Sequence, residues 1–134
     1  MNEPLDTEYI KSLWERALKS LETGKTFPND PDWGANRAYY ASFYAVSALF
    51  AMEGLYFKKH SGVRAALHQH LVKTERLAKE LGNEYDRMLA LRGKADYGGM
   101  EHATPEEVEA SFSAAHRILR TVHDAYPDIF PLKT

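Results

Sequence analysis

The chain has 134 residues, with 17 Lys and Arg against 19 Asp and Glu, for a formal charge of -2. That length suits one domain with an ordinary buried core, and without a basic excess any nucleic acid would have to be met by a local patch. Cysteine is absent, which excludes disulfides, thiolate metal ligands and a cysteine nucleophile, and fits a cytoplasmic location. Residues 1–9 show no basic region followed by an apolar stretch, so no secretory leader is expected. The greasiest segment, 38–55, is interrupted by Ser42, Ser47 and Glu53 and carries Tyr39, Tyr40 and Tyr44. It reads as a buried helix rather than a membrane span.

In chain order, Ile10, Leu13, Trp14, Ala17, Leu18 and Leu21 recur at three-and-four spacing and predict a helix over 7–23, stopped by Gly24. Residues 25–32, with two prolines, an asparagine and two aspartates, predict a loop. A second helix starts near Asp30 or Asp32, runs to Glu53 and is capped by Gly54. Alanines at 38, 41, 45, 48 and 51 let neighbours approach it closely, which makes it the expected central element. Ser61 is placed to cap a third helix reaching about Val72. Thr74 is placed to cap a short piece over 75–81 that Gly82 ends, and Asn83 to begin a fourth helix broken by Gly98 and Gly99. Thr104-Pro105-Glu106-Glu107 is a capping box with proline at the first helical position, opening a fifth helix that ends before Pro127. No alternating strand pattern or repeat occurs. The expected fold is all-α, an up-and-down bundle of four long helices plus a short extra helix. It would form a single domain over 1–134, with its core at about 7–125 and a loose tail at 126–134.

The acids lie mostly on polar faces or at helix starts, so no paired catalytic carboxylates are expected, and the Glu-x-x-His di-iron signature is missing. His68 and His70 point to different sides of a helix, and His116 and His123 lie two turns apart, so neither pair closes a tetrahedral site; no metal or cofactor is expected. Two strings stand apart: Asn36-Arg37-Ala38-Tyr39-Tyr40 and Leu91-Arg92-Gly93-Lys94-Ala95-Asp96-Tyr97. Each sets an arginine beside tyrosines in an otherwise apolar helical pattern, where guanidinium and phenol groups need partners. Arg92 and Asp96, four apart, fit an intrahelical ion pair that braces the bundle together with Arg37 and Tyr40. The sharper alternative is a phosphate site, in which the arginine fork meets an anion and Tyr97 donates or stacks, though structural networks more often collect such groups. Lys58, Lys59, His60, Arg64, Lys73 and Arg76 bracket the third helix, as a solvated face or as a positive rim.

Taken in order, these residues resemble the HEPN domain (higher eukaryotes and prokaryotes nucleotide-binding), in its small stand-alone prokaryotic branch, over about residues 9–122. The marks are Asn36-Arg37-Ala38-Tyr39-Tyr40-Ala41-x-Phe43, Lys59-His60-Ser61-Gly62-Val63, His68-Gln69-His70-x-Val72-Lys73-Thr74 and Arg92-x-x-Ala95-Asp96-Tyr97. The resemblance implies a helical bundle that forms homodimers, works with a minimal nucleotidyltransferase in toxin–antitoxin or defence modules, and binds nucleotide or RNA. Arg92, Tyr97, Arg37, Tyr40, Lys59 and His60 are the implied binding residues. Many relatives are metal-independent ribonucleases with an arginine followed, after four to six residues, by a histidine. Here the first histidine after Arg92 is His102, too distant for that motif. If the chain cleaves RNA, the candidates are Arg92 to stabilise charge on phosphorus and Asp96 or His102 to move protons.

Overall fold

The computed structural model describes residues 6–97 and 102–132, with the backbone alone for 94–97. It is all-helical: α1 Thr7–Thr23, α2 Pro31–Met52, α3 His60–Ala66 continued by a π-helical turn Leu67–Val72, α4 Lys79–Tyr97 and α5 Pro105–Ala125. The other three long helices, α1, α4 and α5, pack around α2. No described helix is long and apolar enough to cross a membrane.

The reason α2 is central is its small-residue surface. Gly34, Ala35, Ala38, Ala41, Ala45, Ala48 and Ala51 are all buried, so neighbouring helices approach its backbone from several directions. Its ends are set locally. The Asp30 carboxylate accepts from Trp33 N–H at 3.1 Å, and Pro31 occupies the first turn. At the other end Gly54 takes φ +81°, which lets Leu55 N–H reach Phe50 O at 2.8 Å and Gly54 N–H reach Ala51 O at 3.0 Å in a Schellman closure. The capping box of α5 is present in both directions: Glu107 N–H donates to Thr104 Oγ1 at 3.1 Å, and Thr104 N–H to Glu107 Oε1 at 3.0 Å.

The middle of the chain departs from expectation. Helix α3 begins at His60, one residue before the expected Ser61 cap, with Gly62 and Val63 N–H donating to Lys59 O. The helix then widens into a π turn, with Lys73 N–H reaching His68 O at 2.9 Å. That turn buries Leu67 and Leu71 together while turning His68 Nε2 toward Asp86 Oδ1 of α4 at 3.0 Å, beside a two-point Arg64–Asp86 ion pair. The short helix expected over 75–81 does not form. Thr74 Oγ1 donates back to His70 O at 2.6 Å instead of capping forward, and Glu75 adopts φ 65°. Gly82 therefore does not stop a helix but lies inside α4, which starts at Lys79. A Cβ there would stand 2.7 Å from Val72 Cγ2, so glycine allows the π turn to pack on α4.

Of the residues expected as a loose tail, 126–132 are docked, and 133–134 lie outside the described residues. Phe130 is completely buried against Trp14, with ring centroids 5.2 Å apart; Trp14 Nε1–H donates to Pro131 O at 2.8 Å, and His123 Nδ1 lies 2.6 Å from Phe130 O. Tyr126 donates to Glu53 Oε2 at 3.0 Å, joining the two-point Arg76–Glu53 ion pair at the end of α2. A tryptophan N–H buried in a bundle needs an acceptor, and the turn after α5 brings one back. Phe130→Ala should cost about 3–5 kcal/mol in urea unfolding. A change within about 0.5 kcal/mol, as for an exposed substitution, would mean that the tail contributes no core.

Candidate functional site

Helices α2 and α4 meet with Tyr39, Tyr40 and Arg92 at the contact. Tyr39 points fully inward and Tyr40 sits half-exposed beside it, their rings edge-on with centroids 5.2 Å apart. Arg92, half-buried, lays its guanidinium 5.6 Å from the Tyr39 ring centre and 5.5 Å from that of Tyr40, and donates from Nη2 to the Tyr40 hydroxyl at 3.0 Å. A cation lying over rings in a partly dry setting is held by the ring quadrupole as well as by the hydrogen bond. On the outer side of Tyr40, Arg37 is layered between Trp33 at 5.3 Å and Tyr40 at 5.2 Å, and its Nε and Nη2 donate to Asn36 Oδ1 at 2.8 and 2.6 Å.

The first residue of α3 closes the cluster. His60 is stacked on Phe43 at 4.2 Å and 12°, and its Nδ1 stands 2.7 Å from the Tyr39 hydroxyl. Burial, and then the charge of Arg92, hold this imidazole below the usual histidine range. It is therefore neutral at pH 7, with Nδ1 engaged by Tyr39. Behind Tyr39 the Tyr85 ring packs at 5.7 Å; its hydroxyl is buried, and burial pushes the phenol up, so it stays protonated. Burial raises Tyr39 as well. The result is a two-sided constellation of one guanidinium and one neutral imidazole on a phenol floor, with a second guanidinium one helical turn away.

Of the residues singled out from sequence, Arg92, Tyr40, Arg37 and His60 come together. Lys59 is exposed next to His60 at the start of α3. The side chains of Asp96 and Tyr97 lie outside the described residues. His102 stands elsewhere: its Nδ1 is 2.6 Å from Asp32 Oδ2, where Asp32 also accepts from Ala103 N–H at 2.8 Å. Asp32 lies eight residues before Tyr40, about 12 Å along α2, so His102 is not among the groups gathered around Arg92. Tyr39, Phe43, Tyr85 and Trp33 were missed as site components. The spacing of Tyr85 and Arg92, seven apart on one face of α4, was the available signal for one of them. Among the described residues, no three His, Asp or Glu side chains converge as metal ligands.

A profile of the HEPN domain matches residues 10–125. The chain belongs to the HEPN family. It is 43% identical over 127 residues to a UPF0332 protein of Thermotoga maritima, covering 92% of this chain and 96% of that one. It is 33% identical over 112 residues to the "Putative toxin MJ0142" of Methanocaldococcus jannaschii, covering 82% of this chain and 76% of that protein. In this HEPN chain the imidazole next to the helix-four arginine comes from the start of α3 and not from the residues that follow the arginine.

Protonating a half-buried imidazole beside a guanidinium costs free energy in the fold that the unfolded chain does not incur. With its folded pKa depressed, His60 contributes stability that is full above about pH 6.5 and is lost as pH falls through the lower folded value. His116, lowered by burial and then by Lys25, acts with the same sign. The urea midpoint should therefore fall between pH 7.5 and pH 5, and His60→Gln should shrink that fall. NMR titration should place the His60 imidazole below about 6.5. Arg92→Met should move it only part of the way back, because burial remains. An ordinary titration in the wild type would contradict the described packing.

Proposed function

We propose that this HEPN chain binds nucleotide or RNA phosphates through Arg92, Tyr40, Arg37 and His60, with Lys59 at the rim and Tyr97 beyond the end of the described side chains. It acts in the cytoplasm as a homodimer, within a toxin–antitoxin or defence-type system that includes a minimal nucleotidyltransferase. The observation that carries this reading is the Arg92 guanidinium, lodged half-exposed on two phenol rings with Arg37 and His60 close by. Arginine's planar fork of donors matches the oxygens of a phosphate, and the aromatic faces hold that fork in place. The similarity to the Methanocaldococcus protein named as a toxin supports the setting.

Binding of a short fluorescent RNA, followed by anisotropy, tests the reading. Affinity should fall as salt rises, and Arg92→Met should weaken it by about 10- to 100-fold, the value of a hydrogen-bonded charge. Tyr40→Phe, which keeps the ring, should produce a smaller loss and guards against an unfolded Arg92 variant. Affinity unchanged in both variants would end the proposal. Co-purification with the product of a neighbouring nucleotidyltransferase gene, and sedimentation at twice the monomer mass, test the partner and the dimer.

A second reading, a metal-independent ribonuclease, is favoured by one observation: a neutral imidazole adjoins the guanidinium, although the expected arginine–histidine spacing is missing. In that reaction His60 takes the ribose 2′-hydroxyl proton as the 2′-oxygen attacks phosphorus. The bond to the 5′-oxygen breaks, that oxygen is protonated by water, and Arg92 faces the charge on phosphorus. Cleavage in chelator that leaves 2′,3′-cyclic phosphate ends and disappears in His60→Gln would establish it. Intact RNA under the same conditions leaves the chain a binding module.

A further inference from the structure

The ring of Phe43 is stacked on His60 in the cluster around Arg92, and the same residue also lines a separate cavity of about 190 Å³ between α1, α2 and residues 55–57. The same cavity is walled by Tyr44, whose ring lies 5.8 Å from that of Tyr40, the residue hydrogen-bonded to Arg92. The two spaces therefore share a wall, Phe43 and Tyr44, one helical turn along α2 from Tyr40.

The lining is unusual for a gap left by imperfect packing. Tyr9, Tyr44, Tyr56 and Phe43 contribute ring faces and edges, Ser47 a hydroxyl and Arg16 a guanidinium lying 5.8 Å from the Tyr44 ring. Tyr9 and Tyr56 are 46% and 57% exposed with ring centroids 6.3 Å apart, so the mouth is open to solvent between two phenols. The Arg16 guanidinium and the hydroxyls of Tyr44, Ser47 and Tyr56 make no hydrogen bond or ion pair among the described residues. An apolar, ring-lined slot with a few uncommitted polar groups is what a flat heteroaromatic ligand requires: faces to stack on and donors for its edge. The volume is well below the roughly 300 Å³ of a drug-sized site, which suits a single ring system.

We propose that this cavity is a nucleobase subsite, and that the molecule bound at Arg92 is a nucleotide unit rather than a bare phosphate. The assignment rests on the phosphate reading above and narrows it. The phosphate meets Arg92 and His60, the ribose crosses the Phe43–Tyr44 wall, and the base enters between Tyr44 and Tyr56 with Arg16 at its edge. The positive charge of Arg16 in the lining disfavours a cationic occupant, and the shared wall explains why aromatic residues continue along α2 beyond the arginine cluster.

Calorimetry with AMP and with ribose 5-phosphate separates the base from the phosphate it accompanies. In the wild type AMP should bind about 10-fold or more tightly than ribose 5-phosphate, the range of base–aromatic stacking. Tyr56→Ala, at an exposed position, should remove most of that preference and leave ribose 5-phosphate affinity unchanged. Arg92→Met should weaken both ligands together. Equal affinity for the two ligands in the wild type would overturn the subsite, as would failure of AMP to bind while short RNA binds in an Arg92-dependent way; either result leaves the phosphate reading standing. If neither AMP nor RNA binds, both fall. If Tyr56→Ala shifts the sedimentation coefficient and not the ligand preference, the slot belongs to an interface between copies and the assignment is wrong.

Discussion

A guanidinium removed from bulk water but not sealed off is the constraint around which this bundle is arranged. Placing Arg92 at the α2–α4 contact would be costly if only aliphatic side chains met it. Tyr39 and Tyr40 reduce that cost with ring faces and one hydroxyl acceptor, and the same two tyrosines decide what else can approach. Tyr39 reaches across to His60, which is why α3 begins there; Tyr40 carries Arg37 on its outer side. Phenols thus serve twice, as core filling and as a scaffold for cations, which explains why so many lie on one otherwise apolar helix.

The small residues of α2 make this arrangement geometrically possible. With alanine or glycine facing each neighbour, α1, α4 and α5 settle close to the helix backbone, Tyr39, Leu49 and Phe50 fill the core, and one sector of α2 remains only partly covered. In that sector Trp33, Arg37, Tyr40, Tyr44 and Ser47 stay half-buried along the helix. A helix packed on all sides by leucines would have no such sector, and one packed on a single face would leave Arg92 in water.

The long helices were legible because their signals are local. Asp30, Gly54 and the Thr104 box act within a few residues, and the apolar stripes of α1 and α5 repeat over many turns. The middle of the chain was not, because its geometry is decided between elements: Gly82 looks like a stop but is there for Val72, and Thr74 looks like a cap but bonds backward to His70. Trp14 gave no sign that its N–H would be satisfied 117 residues later by Pro131. For the site, the arginine-with-tyrosine strings revealed both helices that form it. Spacing could not show that the imidazole beside Arg92 is His60, 32 positions earlier in the chain, because that proximity arises only when α3 folds over α2. His102, nearer in sequence, is drawn instead to Asp32.

Charge distribution makes the proposed anion-binding face compatible with a chain of slightly negative net charge. The groove between α4 and α5 is lined by Glu84, Glu106 and Glu107, with Arg87 among them, and is a poor place for phosphate. On the α2 side the charged groups near Tyr40, among the described side chains, include Arg37 and Arg92, and His60 beside them is held neutral by burial and by Arg92 itself. Keeping that imidazole uncharged limits the repulsion the fold must carry when the site is empty. A phosphate arriving at Arg92 reverses the local balance: its negative charge offsets the guanidinium that disfavours His60 protonation, so anion binding and proton uptake at His60 favour each other. A site built from two permanent cations would lack that coupling, and one without Arg92 would have nothing to hold the imidazole in its neutral form beyond burial.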